Sequence, residues 1–234
     1  MTTKDKPLIL SLETAAGLCS VALSQGEDLL FSLQSEEKNS HSQMLPLLIE
    51  KIFSLYGENI RKDLDAVAVS KGPGSYTGLR IGVSSAKGLA YALNIPLISV
   101  ETLKILAFRA MTLYPDMLYL PMIDARRMEV YSALYDSDFN CLKEISADII
   151  ESDIYKEYQK DKKIAVIGDG AQKCKSVLNN GFYIYDDNVS LHAEYMCGIA
   201  LSKYKNGDFE DKAYFEPYYL KDFIAKKSSV KGLY

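Results

Sequence analysis

The run from Lys71 to Gly82, KGPGSYTGLRIG, holds the residue types best suited to chemistry in this chain. It follows an apolar strand pattern at 64–69 and precedes a helical pattern at 76–93. A glycine-rich turn between a strand and a helix gathers backbone N–H groups at the positive end of the helix dipole, which favours an anion. Glycines equally allow another surface to approach closely. The turn therefore predicts either phosphate binding or tight packing against a partner.

Three carboxylates at predicted strand ends offer a second kind of chemistry. Glu13, Asp124 and Asp169 each lie beside a turn, where a site for a magnesium-bound nucleotide could be built. The second glycine turn, at 168–171, is either a phosphate cradle or a plain turn. The sequence after Glu13 lacks the Asp-x-Gly pattern typical of actin-like kinases and ATPases. An ATP-dependent phosphotransferase or ATPase is therefore the alternative function.

Metal and nucleophile chemistry have less support. The chain has two histidines, His41 and His192, and lacks the H-x-x-x-H spacing that places two imidazoles on one helix face. Ser75 is not in a G-x-S-x-G elbow, and helix capping explains it better. The four cysteines form no C-x-x-C pair, which favours reduced, buried thiols. We expect no catalytic residue, no metal site and no cofactor of the chain's own, and a protease ranks last among the functions.

The composition is that of a globular protein and not of one that binds nucleic acid unaided. The chain has 234 residues, of which 48% are hydrophobic and 25% charged, and its length suits one large domain or two lobes. The net charge of −4 differs from the basic footprint of nucleic-acid-binding proteins. Residues 1–7 lead into an apolar run that Glu13 interrupts, which fits neither a secretory signal nor a membrane span. The sequence predicts a cytoplasmic protein.

Two halves of the chain repeat one pattern. A predicted strand, turn and second strand at 8–23 recur at 119–134, and each half continues to a strand that ends in a glycine turn. Hairpins combined with strand-to-helix units predict mixed sheets covered by helices. We therefore predict an α/β fold of two related lobes, at 1–108 and 109–234.

The predicted helices begin and end at recognisable signals. Ser40 or Ser42 can cap a helix over His41–Tyr56 that ends at Gly57, and Ser75 can cap the next helix. Further helical patterns cover 102–111, 152–160, 171–178 and 192–205.

Two of these helices carry features of an interface. The apolar arc of the helix at His41–Tyr56 is roughly twice the ~100° that one core-facing stripe needs. In the next helix, small residues recur at every fourth position, at Gly78, Gly82, Ala86 and Ala90. Such a ridge lets another helix approach closely. Two interpretations stay open, because the ridge can pack on the chain's own sheet or contact another subunit.

The segments at 10–15, 41–46 and 71–82, together with EPYYLK at 216–221, follow the order seen in a known family. In these segments the chain resembles the bacterial TsaB family, also called YeaZ, although Lys221 stands where Arg is frequent. The resemblance implies an actin-like (ASKHA) fold of two RNase H-like lobes with mixed sheets flanked by helices, which is also filed under glycoprotease-like.

The resemblance also implies a function. It describes a non-catalytic dimerisation subunit that binds and supports TsaD, with the ATPase TsaE, in making N6-threonylcarbamoyladenosine beside the tRNA anticodon. It implies a homodimer when the chain is alone, contact with tRNA only through partners, and no membrane; it leaves open a nucleotide at a subunit interface. The catalytic paralogue carries an H-x-x-x-H pair that this chain lacks. The interface candidates that it implies are Met44, Leu45, Leu48, Ile52, Gly78, Leu79, Gly82 and Ala86.

Overall fold

The structure, a computed structural model, describes residues 4–37, 40–186 and 188–221 and contains two five-stranded sheets. The first half comprises β1 (Leu8–Glu13), β2 (Ser20–Gln25), β3 (Asp28–Gln34), α1 (His41–Tyr56), α2 (Ile60–Asp63), β4 (Ala66–Gly72), α3 (Tyr76–Ala92), β5 (Leu97–Glu101) and α4 (Thr102–Leu113). The second half comprises β6 (Leu118–Asp124), β7 (Glu129–Tyr135), β8 (Cys141–Ile149), β9 (Ile164–Ile167), α5 (Ala171–Cys174), β10 (Tyr183–Asp186) and α6 (Cys197–Lys205). Short 3-10 turns occur at Lys156–Tyr158 and Ala193–Met196. No helix within the described ranges combines the length and apolar character that a bilayer crossing requires.

The two sheets repeat one topology. Each begins with three antiparallel strands, and a fourth strand then pairs parallel to the first and a fifth parallel to the fourth. The orders are β3-β2-β1-β4-β5 and, from the matching edge, β8-β7-β6-β9-β10. A glycine with positive φ stands where the fourth strand of each sheet ends, Gly72 at +113° and Gly168 at +96°. The predicted internal repeat and the predicted α/β class are confirmed.

The helices form layers outside and between the sheets. On the outer face of the first sheet, α1 and α3 bury residues such as Leu45 and Val83 against β1, β2 and β4. Between the sheets, α4 and α6 contribute Leu106 and Ala200 to one core that contains side chains from both sheets. Each fully buried aliphatic side chain contributes about 1.5–3 kcal/mol, so this shared core holds the lobes together. The predicted boundary at 108/109 falls inside α4, and the division into two domains stays a prediction.

Local signals located some elements well and others poorly. The bounds of α1 and β9 match the prediction, and α3 begins at Tyr76 as predicted. Ser40 occupies the N-cap of α1 without a side-chain cap bond. The predicted helix at 152–160 is wrong: the segment forms only a 3-10 turn, next to the buried Tyr155, which donates its hydroxyl to Asp148 at 2.9 Å. The patterns at 171–178 and 192–205 become the short α5 and, after a 3-10 turn, α6. Strands β3, β5, β8 and β10 were not predicted.

The ridge of small residues on α3 packs within its own lobe. A Cβ added at Gly78 would lie 2.1 Å from the Thr14 carbonyl oxygen, and one at Gly82 would lie 2.1 Å from Thr14 Oγ1. Ala86 is fully buried in the core beneath the helix. Gly88, on another side of α3, has no atom within 4 Å of an added Cβ. The structure therefore supports the first interpretation of the ridge, packing on the chain's own lobe.

This contrast gives a matched pair of substitutions on one helix. Gly78→Ala forces Thr14 and α3 apart, and we expect it to lower the free energy of unfolding by about 2 kcal/mol. Gly88→Ala meets open space, so better helix propensity should raise that free energy by about 0.5–1 kcal/mol. Urea unfolding measures both. Equal effects of the two substitutions would contradict the packing described for α3.

Candidate functional site

The signature turn, residues 71–82, packs against the β1–β2 turn of its own lobe. Ser75 caps α3 as predicted, because its Oγ accepts the Gly78 N–H at 3.2 Å. The Ser75 N–H donates to the Ala15 carbonyl oxygen at 2.7 Å. A Cβ added at Gly74 would lie 2.6 Å from that same oxygen. Close packing within the chain therefore accounts for the glycines, and phosphate binding at the turn stays a prediction.

A C-terminal strap, residues 208–221, closes another side of the turn. It runs along α3 and reaches the turn where the Tyr218 N–H donates to the Lys71 carbonyl oxygen at 2.7 Å. Beyond that point Lys221 forms an ion pair with Glu129 at the start of β7. The strap thus ties the signature turn of the first lobe to the second lobe.

Glu13, one of the three predicted carboxylates, is sealed inside the first lobe. Its Oε1 accepts the Ala15 N–H at 2.6 Å and the Ser70 hydroxyl at 2.9 Å. Its Oε2 has no hydrogen-bond partner among the described residues. Burial raises the pKa of this carboxyl to about 7, since a charged form would lose its hydration. Glu13 therefore braces the β1–β2 turn and has no path to a ligand in the cleft.

Asp124 occupies the equivalent position at the end of β6 and keeps the same local bond. Its Oδ1 accepts the Arg126 N–H at 2.8 Å, two residues ahead, as Glu13 does with Ala15. It also forms an ion pair with Lys173. Burial alone would raise its pKa, but the Lys173 and Arg126 contacts outweigh burial and hold the pKa below its ordinary value. A cation ligated by Asp124 would have to displace Lys173.

Asp169 lies beside Asp124 at the second glycine turn. Its Oδ1 accepts the Asp124 N–H at 2.9 Å. Burial raises the pKa of its carboxyl, and the nearby Asp124 charge adds to that increase. The structure thus brings Asp124 and Asp169 together and leaves Glu13 apart from them.

The two lobes enclose a cleft of about 470 Å³. Its walls are the β1–β2 turn, the signature turn, the β6–β7 turn and the end of the strap. Its charged groups are Asp124, Arg126, Asp169 and Lys221. Because two acidic and two basic residues line the cleft, it can form hydrogen bonds with a ligand but does not strongly favour either anions or cations.

The two histidines lie next to helical segments. His41 is the first residue of α1, and its Nε2 lies 2.8 Å from the Ala16 carbonyl oxygen. His192 precedes the second 3-10 turn, and its Nε2 lies 3.1 Å from Ser190 Oγ. Within the described ranges, His, Cys, Asp and Glu side chains nowhere gather in a group of three that could hold a metal ion.

Most of the predicted interface residues are buried in the lobe itself, and their part in a partner interface stays a prediction. Of the eight, Met44 is half-buried and the other seven have almost no free surface. The seven buried residues are Leu45, Leu48, Ile52, Gly78, Leu79, Gly82 and Ala86. The reason is that the most apolar stripe of α1 and the small-residue ridge of α3 both face the first sheet and the β1–β2 turn. A partner on these helices would meet other residues.

Those other residues form an open groove between α1 and α3. It has a volume of about 720 Å³ and is lined by Pro46, Ile49 and Phe53 of α1 and by Gly88 and Leu89 of α3. Ile49 and Phe53 belong to the wide apolar arc of this helix but are not among the eight predicted interface residues. Gly88 was not selected as an interface residue. A glycine inside a helix but outside the small-residue ridge could have indicated a place of close approach.

The raised pKa of Glu13 predicts how stability depends on pH. The folded carboxyl, with a pKa near 7, keeps a proton that the unfolded chain releases near its ordinary value of 4.5. The contribution of this group to the free energy of unfolding is therefore complete below pH 4.5. As the pH rises to 7, roughly 3 kcal/mol of that contribution is lost. Glu13→Gln should remove this loss. Denaturant unfolding at pH 5 and pH 8 measures it, with the exposed Glu27→Gln as the control. An unchanged pH dependence in Glu13→Gln would refute the assignment.

Comparison with known proteins adds an independent line of evidence. The family model described as "TsaD: tRNA N6-adenosine threonylcarbamoyltransferase" matches residues 35–193, more than half of the chain. The tRNA threonylcarbamoyladenosine biosynthesis protein TsaB of Escherichia coli (strain K12) is 33% identical over 227 residues, which cover 94% of this chain and 96% of that protein. The protein of the same name from Bacillus subtilis (strain 168) is 30% identical over 175 residues, or 74% of this chain and 75% of that protein.

A solved structure agrees with the sequence comparisons. YeaZ from Pseudomonas aeruginosa superimposes on this chain with a TM-score of 0.80 at 27% sequence identity. The match covers 92% of this chain and 100% of that one. The resemblance found in the motifs is thereby confirmed over nearly the whole chain. This chain belongs to the TsaB (YeaZ) family of the glycoprotease-like superfamily, with its two mixed α/β lobes in an actin-like arrangement.

Proposed function

We propose that this chain is a non-catalytic subunit of a cytoplasmic tRNA-modifying complex. In it, the chain binds and supports a TsaD-type threonylcarbamoyltransferase during synthesis of N6-threonylcarbamoyladenosine. The related proteins from Escherichia coli and Bacillus subtilis carry the name of this pathway, which supports the proposal. The observation that carries it is the open groove between α1 and α3, whose apolar residues lie beside charged ones such as Glu50 and Arg61.

The groove provides surface that a partner can bury. Ile49 and Phe53 are half-buried on its α1 side, while Leu47 and Leu55 farther round the helix are 55% and 51% exposed. Burying such side chains contributes about 25 cal/mol per Å². Gly88 leaves the opposite wall low enough for a helix to enter. A second copy of this chain and TsaD would compete for this one face, so the homodimer gives way to the heterodimer.

The cleft supports a non-catalytic role. Glu13 is sealed from solvent, and the Ser75 hydroxyl caps α3. Asp124 is more exposed than Glu13, and its carboxylate is paired with Lys173. We therefore assign catalysis to the TsaD partner, ATP hydrolysis to TsaE, and contact with tRNA to the assembled complex.

A substitution at Gly88 tests the groove. Gly88→Trp places an indole in the groove without entering the core, because an added Cβ meets no atom within 4 Å. We expect the variant to keep its thermal midpoint and to lose most of its binding to TsaD. Co-elution on size exclusion, together with nucleoside analysis of modified tRNA, measures both effects.

Gly181→Trp is the matched control, because Gly181 is also exposed with open space around it, in the second lobe. It should bind TsaD like the unaltered chain. Full TsaD binding and full tRNA modification with Gly88→Trp would refute the proposal. Loss of binding with Gly181→Trp alone would place the interface on the second lobe and equally refute it.

The alternative is an ATP-dependent phosphotransferase or ATPase, which Asp124 and Asp169 at the cleft favour. It predicts that the purified chain binds Mg-ATP without a partner. We expect calorimetry to give no binding heat at about 1 mM nucleotide. A site with a binding free energy of about −4 kcal/mol or better would have a Kd of about 1 mM or less and would give heat at this concentration. Micromolar binding that Asp124→Asn abolishes would favour the alternative over the scaffold role.

A further inference from the structure

A third cavity lies apart from both the cleft and the groove. It has a volume of about 440 Å³ and opens between β5, α4, α6 and the turn that joins β7 to β8. Apolar side chains, among them Val100 and Ile199, contribute its inner surface. Lysines and carboxylates lie around them. This combination of size, apolar lining and a few charged groups is typical of small-molecule sites.

One wall of the cavity is an aromatic ring held in a costly conformation. Phe139 has a φ of +67°, which costs a bulky residue on the order of 1–3 kcal/mol. The turn is fixed around it, since the Phe139 N–H donates to the Asp136 carbonyl oxygen at 3.1 Å and the Asn140 N–H to Asp136 Oδ1 at 2.8 Å. The ring centroid lies 5.8 Å from that of Phe108. The same ring stacks on Tyr135 at a centroid distance of 5.5 Å, so Phe139 and Phe108 together form an aromatic corner at the cavity.

The charges around the cavity leave one lysine without an acidic partner. Lys71 lies 3.4 Å from Glu101, and Lys203 lies 3.0 Å from Asp208, so each has a carboxylate. Lys104 Nζ lies 5.3 Å from the centroid of the Phe139 ring and, among the described residues, forms no ion pair. The ammonium group therefore lies over the ring of Phe139 at the cavity.

We propose that this cavity binds a small, flat organic monoanion, with its ring against Phe139 and its carboxylate on Lys104. Aromatic rings pair favourably edge-to-face or offset, and a charge-assisted bond to an ammonium group is stronger than a neutral one. The single excess positive charge suits one anionic group, because Glu101 and Asp208 would repel a polyanion. This proposal uses neither the groove nor the cleft and is independent of the function proposed above.

The experiment titrates the full chain with indole-3-carboxylate and follows binding by NMR and calorimetry. Indole-3-carboxamide keeps the ring without the charge, and acetate keeps the charge without the ring. Two variants remove one contact each. Lys104→Met deletes the ammonium group, and Phe139→Asn deletes the ring while asparagine tolerates the positive φ. Lys175→Met is the matched control, because Lys175 also lies over a ring, that of Tyr185 at 5.7 Å from its centroid, outside the cavity.

We expect indole-3-carboxylate to bind with a Kd below about 1 mM. The carboxamide, acetate, Lys104→Met and Phe139→Asn should each weaken binding at least tenfold, and Lys175→Met should leave it unchanged. Thermal midpoints near that of the unaltered chain show that each variant is folded. The proposal is overturned if the carboxylate does not bind, if the carboxamide binds equally well, or if folded Lys104→Met and Phe139→Asn variants keep full affinity.

Discussion

The contact between α3 and the β1–β2 turn sets the geometry of the first lobe. Gly78 and Gly82 let the helix lie directly on Thr14, where any side chain would collide with it. The start of the same helix is fixed by the bond from the Ser75 N–H to the Ala15 carbonyl oxygen. With α3 held so close, α1 packs beside it over the sheet, and the outward sides of the two helices leave the groove open. One contact thus positions both the wall of the cleft and the groove that we propose as the partner surface.

The internal repeat shows how equivalent positions acquire different chemistry. Glu13 and Asp124 each end the first strand of their sheet and each accept the N–H two residues ahead. Around Glu13 the neighbours are apolar groups and the Ser70 hydroxyl, so the carboxyl keeps its proton to about pH 7. Around Asp124 the neighbour is Lys173, so the carboxylate is charged. The backbone is the same at both positions. The neighbouring side chains therefore decide that Glu13 supports the β1–β2 turn and that Asp124 faces the cleft.

The lobes are joined twice, by different kinds of interaction. The apolar layer of α4 and α6 between the sheets resists separation over a large area. The strap adds polar bonds at the edge, from Tyr218 to Lys71 and from Lys221 to Glu129. An exposed ion pair of this kind contributes little alone. The shared core therefore joins the two walls of the cleft, and the strap contacts the turn that lines it.

The sequence alone determined the elements whose signals lie within a few residues of one another. The capping Ser75 and the terminal Gly57 bounded α3 and α1, and the repeated hairpins predicted two related lobes. The motif at 71–82 marked the family. The tertiary structure alone decided which side of α1 and α3 is buried, because the apolar arc of α1 is wider than the face that its own lobe buries. Contacts such as Thr14 with Gly82 or Glu13 with Ser70 join residues more than fifty positions apart. Capping and periodicity act along the chain, whereas burial depends on which distant segments the fold brings together.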